Sequence, residues 1–330
     1  MRFFAAELLL LMCSAALAAD RLPGYGAQAA SFTVSGLSSG GYMAVQMHIA
    51  HSSRVKGVGA LAAGPYYCAQ GSLWTAMSNC MRPGGWSALP DINALKAQTE
   101  RFAREGAIDP AAGIVDARVW LFSGTEDLTV GTRVVEALSG FYSLFNAELV
   151  FVKDKPAGHA MVTESAGGAC GETEPPFIND CDYDAAGELL KHLLPKLAPP
   201  AVTADGRLIA FDQREFADVH AISMADDGYA YVPRACDSQP CRVHVAFHGC
   251  RQNAQAVGER FVRDAGYNRW ADSNRLIVLY PQTIARWWWV YNPRGCWDWW
   301  GYTGAGYATK DAPQMRAVLG MIERLAAARK

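Results

Sequence analysis

Short runs of β-branched and aromatic residues recur along the chain between stretches whose apolar positions return every three or four residues. That alternation is the pattern of an α/β protein with a central, mostly parallel sheet. In the first half it predicts strands at 32–34, 57–62, 118–122 and 148–152, with helices near 42–50, 92–104, 132–138 and 185–194. Residues 195–201, Pro-Lys-Leu-Ala-Pro-Pro-Ala, cannot continue a helix, because proline lacks the amide donor and restricts the residue before it; they read as a linker. Beyond the linker, 207–211 and 229–232 read as a meander, 243–247 and 276–280 as buried strands, and 311–327 as a closing helix. No repeat at a fixed period interrupts this order.

Residues 1–19 stand apart from it. Arg2 precedes an apolar run from Leu8 to Leu17, and Ala16-Leu17-Ala18 offers the small residues a signal peptidase needs, so the segment reads as a secretory leader. The run is shorter than the roughly 20 apolar residues of a membrane span. Cys13 lies in Leu-Met-Cys-Ser, a poor lipoprotein signal, which points to release into the periplasm or medium without a membrane anchor.

Export changes the meaning of the cysteines. Removing Cys13 from the nine leaves an even number, which in an exported chain reads as disulfides. Close spacing favours Cys68 with Cys80, Cys170 with Cys181 and Cys236 with Cys241, leaving Cys250 for Cys296. No Cys-x-x-Cys and no paired histidine at ligand spacing accompanies them, so no metal and no other cofactor is expected. Charge narrows the partners further: 30 scattered lysines and arginines against 32 acidic residues give a net charge of −2 and no basic face for nucleic acid. With 51% hydrophobic and 19% charged residues the chain is globular, and nothing in its pattern sets an oligomeric state.

The chemistry begins at Gly36-Leu37-Ser38-Ser39-Gly40, which follows a predicted strand and opens a predicted helix. This is the context of a nucleophile elbow: the turn is so tight that neighbouring side chains would clash, and the helix N-terminus favours developing negative charge. The plainer alternative is a glycine-rich turn in which Ser38 only caps the helix. Of the seven histidines, His192, His48 and His51 ride predicted helices, whereas His159 lies in a loop at the C-terminal end of the strand at 148–152, the edge where catalytic groups of open α/β sheets gather. The strand at 118–122 runs into Ser123-Gly124-Thr125-Glu126-Asp127, where Asp127 is preferred as the acid that orients His159, with Glu126 as its rival.

The chain order Ser, Asp, His is that of α/β-hydrolases, but His248-Gly249-Cys250, the candidate oxyanion loop, comes far downstream of Ser38. A circular permutation accounts for this, with the fold's first half moved behind Pro199-Pro200. Taken with Gly36-Leu-Ser-Ser-Gly-Gly-Tyr-Met-Ala44, Phe122-Ser-Gly-Thr-Glu-Asp127, Gly158-His159, Phe247-His-Gly-Cys250 and Asn292-Pro-Arg-Gly-Cys-Trp-Asp-Trp-Trp-Gly301, the sequence resembles single-domain, circularly permuted poly(3-hydroxybutyrate) depolymerases. The resemblance implies Ser38 as nucleophile with Asp127 and His159 completing a triad, backbone N–H groups of Ser39 and Cys250 as oxyanion hole, and Asn292 and Trp297 along the substrate crevice. It also supports Asp127 over Glu126.

The chain is therefore expected to be a secreted serine esterase that cleaves poly(3-hydroxybutyrate) or its oligomers through an acyl-enzyme, its partner being an aliphatic polyester or hydroxyacid oligomer. Its fold class is expected to be a circularly permuted α/β-hydrolase. Residues 20–330 would form one catalytic domain, with nucleophile, acid and base in 20–194 and the oxyanion loop in 202–330. Six of the ten tryptophans fall at 287–289, 297, 299 and 300, and those not used as core would offer an apolar surface to an uncharged polyester. A feruloyl or acetyl-xylan esterase would use the same triad, and a non-catalytic polymer-binding protein would use the tryptophans alone. Asp298, among them, is expected to make structural hydrogen bonds.

Overall fold

Strand β1 (Gln28–Leu37) reads Gln-Ala-Ala-Ser-Phe-Thr-Val-Ser-Gly-Leu, and from Phe32 onward every residue is buried. Burial of successive residues means burial on both faces, the condition of a parallel strand covered by helices on either side. The computed structural model describes residues 19–85 and 87–329. The expected leader, all but Ala19, lies outside the described residues.

After β1 come α1 (Ser39–Ala50), β2 (Val55–Leu61), α2 (Leu73–Asn79), α3 (Ile92–Arg104), β3 (Arg118–Phe122), α4 (Thr132–Ser143), β4 (Glu148–Val152), the short strands β5 (Met161–Thr163), β6 (Gly168–Ala169) and β7 (Ile178–Asp180), and α5 (Ala185–Leu193). Past the proline-rich linker follow β8 (Arg207–Asp212), β9 (Asp227–Val232), β10 (Arg242–Phe247), α6 (Ala254–Val257), α7 (Arg260–Asp264), α8 (Tyr267–Asn274), β11 (Leu276–Tyr280) and α9 (Pro313–Ala326). The main sheet has eight strands in the order β4-β3-β2-β1-β10-β11-β9-β8. Only β9 runs against its neighbours; the other pairings are parallel.

Strands from both sides of the linker thus share one sheet, and the seam between them is β1 beside β10, with Gly36 opposite Phe247. At the far end of the chain α9 returns to the start: the N–H groups of Tyr25 and Ala27 donate to the Leu325 carbonyl at 2.9 and 3.0 Å. The residues just before β1 are thereby joined to the last helix, the join a permuted chain order requires. All twelve residues of α1 are buried, as befits a helix without a polar face. Among the described residues no helix is long and apolar enough to cross a membrane.

The main-sheet strands fall where the hydrophobic pattern placed them, with β1 extending to both sides of the predicted 32–34. The small sheet of order β5-β7-β6 and helices α2, α6, α7 and α8 were not foreseen, since strands of two or three residues and helices of eight residues or fewer leave little periodicity to detect.

Behind the seam, His244 of β10 places Nδ1 2.8 Å from Thr33 Oγ1 and Nε2 2.8 Å from Ser35 Oγ, and Ser35 Oγ meets the Tyr267 hydroxyl at 2.8 Å. Burial pushes the His244 imidazole down to about 3 from its ordinary 6.5. Burial likewise takes His48 to about 3, aided by Lys56, and His248 to about 4. Between those values and 6.5 the unfolded chain binds protons that the native state refuses, so stability is complete above about pH 6.5 and is lost as pH falls toward 4. Each such imidazole contributes a slope of about 1.4 kcal/mol per pH unit. Urea unfolding at pH 7, 6 and 5 should therefore show a falling free energy, and His48→Phe should make that fall shallower by one proton's worth; an equal slope in the variant would contradict the assignment.

Candidate active site

Ser38 stands between the last residue of β1 and the first of α1, with φ 56° and ψ −122°. A positive φ is strained for a residue with a side chain and persists only where the surroundings enforce it. They do so here: the Ser38 N–H donates to the Leu61 carbonyl at 2.8 Å and the Ser38 carbonyl accepts from Tyr42 at 2.9 Å. A side-chain carbon at Gly36 would collide with the Gly40 carbonyl, and one at Gly40 with that of Phe247. The Ser38 hydroxyl makes no capping bond to α1, which leaves it free to react.

Asp127 is buried in the loop after β3. Its Oδ1 accepts from the N–H groups of Thr129 and Val130 at 2.8 and 2.9 Å, which fixes the carboxylate, and its Oδ2 lies 2.8 Å from His159 Nδ1. Glu126, the rival carboxylate, is exposed. The loop carrying His159 is itself held, as the His159 N–H donates to Thr173 Oγ1 at 2.9 Å and that of Gly158 to the Cys170 carbonyl at 2.8 Å. With Nδ1–H directed at Asp127, the imidazole keeps Nε2 as its acceptor. Ser38 and His159 line one small cavity together with Gly249 and Cys250. Among the described residues no hydrogen bond joins Ser38 to His159, and such bonds commonly tighten only when substrate is present.

The candidate oxyanion loop reaches this cavity because β10 pairs with β1. His248 Nδ1 lies 2.7 Å from the Gly249 carbonyl, and the Thr283 N–H donates to His248 Nε2 at 3.2 Å, so this ring is neutral with its proton on Nδ1. Cys250 is bonded to Cys296, and the N–H of Trp297 donates to Ser39 Oγ at 3.3 Å. Among the described residues the N–H groups of Ser39 and Cys250 have no hydrogen-bond acceptor in the protein. Three further bridges join Cys68 to Cys80, Cys170 to Cys181 and Cys236 to Cys241.

A crevice of about 280 Å³ opens beside Ser38, its walls built mainly from Tyr42, Leu73, Met77, Met81, Trp299 and Trp300. Of the two residues expected to bind substrate there, Asn292 lines the crevice and Trp297 does not. Trp297 is 0% exposed, its ring packed edge-on against Phe247 at 4.9 Å and tilted over His248 at 5.5 Å. Asn292 borders the crevice but is also 0% exposed. Its Oδ1 accepts from the Cys296 N–H at 2.9 Å, and its Nδ2 donates to the Cys296 carbonyl at 2.8 Å and to Ser223 Oγ at 3.0 Å. The position of Trp297 one residue after a bridged cysteine pulls it under the oxyanion loop and into the core. Leu73, Met77 and Met81, spaced four apart, were the overlooked signal for a crevice wall. Asp298 is a structural acceptor, bonded by the N–H groups of Gly301, Tyr302 and Thr303, and burial raises its carboxyl. Among the described residues no three His, Cys, Asp or Glu side chains converge to hold a metal ion.

A poly(3-hydroxybutyrate) depolymerase of Delftia acidovorans is 44% identical over 317 residues, which is 93% of this chain but 62% of that relative, so the chain spans less than two thirds of the relative's length. A polyhydroxybutyrate depolymerase of Talaromyces funiculosus is 34% identical over 96% of both chains. The chain belongs to the poly(3-hydroxybutyrate) depolymerase family. Members of this family are carboxylic ester hydrolases. The crystal structure of the Penicillium funiculosum depolymerase matches with a TM-score of 0.83 at 32% identity, over 93% of this chain and 98% of that one. A serine-to-alanine variant of a PHB depolymerase solved with an R3HB trimer gives the same values. No family model matches the chain.

Within this depolymerase fold the two tryptophans beside the site are expected to behave differently. Trp297→Ala leaves a cavity under the oxyanion loop and should cost about 3–5 kcal/mol of unfolding free energy, harming short and long esters alike. Trp299→Ala, on the crevice wall, should instead raise KM for hydroxybutyrate oligomers more than for p-nitrophenyl acetate. Thermal unfolding beside kcat/KM on both substrates checks the pair, and a selective loss in Trp297→Ala would return that ring to the crevice.

Proposed function

We propose that the protein is a secreted serine esterase that hydrolyses ester bonds of poly(3-hydroxybutyrate) or its oligomers, with residues 20–330 acting as one catalytic domain. The observation that carries the reading is the free Ser38 hydroxyl sharing a cavity with an Asp127-held imidazole and the unpaired N–H of Cys250. Family membership supplies the substrate class. The four disulfides support an oxidising compartment.

In this mechanism Ser38 Oγ attacks the ester carbonyl while His159 Nε2 takes its proton, and Asp127 stabilises the imidazolium. The tetrahedral oxyanion is met by the N–H groups of Ser39 and Cys250, which have no acceptor within the described protein and so need give up no bond as charge develops. Collapse breaks the bond to the alkoxy end of the polymer, which leaves with the proton from His159. Water, deprotonated by the same imidazole, then attacks the acyl-enzyme, and the acid end departs as Ser38 regains its proton.

Recognition of an uncharged polyester has to come from apolar contact. Exposed Leu73 and Met77 of α2 line the crevice, as does exposed Tyr291, and the neighbours of these residues in sequence, Trp74 and Trp287 to Trp289, are exposed apolar rings as well. Such a surface lies flat on a chain that offers few hydrogen-bond donors.

Ser38→Ala should lower turnover by roughly 10⁴-fold or more while leaving the fold intact, whereas Ser39→Ala should keep most activity, because only its N–H takes part in the chemistry. The decisive assay incubates wild type and Ser38→Ala with amorphous poly(3-hydroxybutyrate) and with feruloylated xylan. Hydroxybutyrate monomer and oligomers released by wild type alone support the reading; ferulate release without hydroxybutyrate would replace it with a xylan-side-chain esterase.

A further inference from the structure

The segment Gly249-Cys250-Arg251-Gln252 lies outside any regular helix or strand, yet the Cys250 N–H has to be held to a fraction of an ångström if it is to meet an oxyanion. Arg251 follows it with φ 58°, a left-handed conformation that a side-chain-bearing residue adopts only under constraint. Two buried side-chain amides supply that constraint from opposite sides.

Gln252 is 1% exposed. Its Oε1 accepts from the Gly249 N–H at 2.8 Å, and its Nε2 donates to the carbonyls of Phe177 at 2.8 Å and Pro176 at 3.2 Å. Those carbonyls belong to the segment that includes Thr173, whose hydroxyl accepts the His159 N–H. Gln252 is therefore a strut between the oxyanion loop and the loop of the candidate base. On the other side, Asn292 brackets Cys296 through both its N–H and its carbonyl, and Cys296 is bonded to Cys250. The next residue, Trp297, donates its N–H to Ser39 Oγ, tying the second oxyanion donor to the same segment.

We propose that Gln252 and Asn292 are positioning residues that fix the Cys250 N–H relative to Ser38 and His159, Gln252 from the side of the base and Asn292 through the Cys250–Cys296 bridge. The inference rests on the oxyanion role given to Cys250 under the proposed function. It reassigns Asn292 from binding substrate to holding the donor that the reaction's charge will meet.

The test compares Gln252→Leu, Asn292→Leu and Gln252→Glu with Asn268→Leu. Asn268 is a buried amide that lines neither cavity beside Ser38 and bonds the Tyr280 hydroxyl and the Val262 carbonyl, so its loss removes hydrogen bonds without removing any made by the oxyanion loop. With p-nitrophenyl butyrate, Gln252→Leu and Asn292→Leu should lose about 10²-fold in kcat with KM nearly unchanged, the loss expected when one oxyanion donor is misplaced. Affinity for an alkyl trifluoromethyl ketone, whose adduct with Ser38 carries the oxyanion, should fall in the same proportion. Asn268→Leu should lower the unfolding temperature and leave both readouts alone.

Gln252→Glu adds a pH signature that needs no apolar substitution in the core. Its ionised carboxylate still accepts from Gly249 but faces the Phe177 and Pro176 carbonyls without a proton, so its activity relative to wild type should rise as pH falls and the carboxyl protonates. A flat ratio for Gln252→Glu, or a kcat loss in the leucine variants no larger than in Asn268→Leu, would overturn the positioning role. If the ketone binds wild type tightly and the variants equally well, the positioning role alone falls. If wild type neither binds the ketone nor is labelled at Ser38 by a fluorophosphonate, the proposed mechanism falls with it.

Discussion

The pairing of β1 with β10 brings the Phe247 and His248 carbonyls so close to the first turn of α1 that Gly36 and Gly40 have no room for a side-chain carbon. That approach sets the site. It places the loop of Gly249 and Cys250 beside Ser38, which adopts a conformation its own side chain disfavours. On the far side of the same contact, His244 is held between Thr33 and Ser35, residues of β1 just before the elbow. A slip of one residue between these strands would turn the pleat over, strand the imidazole without partners and move the loop away from the serine. Close backbone packing and a satisfied buried polar string therefore enforce one register.

Much of this was legible in the sequence because its signals were local. The glycines around Ser38, the strand before them and the helix after them lie within a dozen residues, and strand ends located Asp127 and His159 in loops on one edge of the sheet. Choosing Asp127 over Glu126 was not a local matter: both sit in one turn, and only the partner carbonyls and N–H groups around them decide which side chain faces inward. The cysteine spacing named the same four pairs that the structure bonds, since three of them close short loops and the last two cysteines were left to each other.

The aromatic segment shows where such reading stops. Trp297 and Trp289 are alike in composition and near in sequence, yet one is enclosed by Phe247 and His248 and the other is fully exposed at a residue with φ 69°. What separates them is the bridge from Cys296 to Cys250, which draws its neighbours beneath the sheet edge, and a bridge to Arg286 from Asn292 that closes the intervening residues into an outward bulge. Asn292 lies beyond such reading for the same reason: an amide beside a crevice can face ligand or backbone, and here its bonds go to the Cys296 peptide.

The seam at the centre of the sheet also has a temporal side. His244 and Ser35 touch although 209 residues separate them along the chain. As the polypeptide emerges from the ribosome, β1, β2, β3 and β4 become available while the neighbour that completes the sheet on the other edge of β1 is still unmade. Until that strand arrives, the growing chain carries a buried-type strand with one edge open, a surface prone to pairing with other chains. Ser38, Asp127 and His159 would all have been synthesised by then, but Cys250 would not, so under the proposed mechanism a nascent chain lacks one of its two N–H donors. Such long-range closure is slow to form, and that delay suits a protein whose expected route leads out of the cytoplasm before its two halves meet.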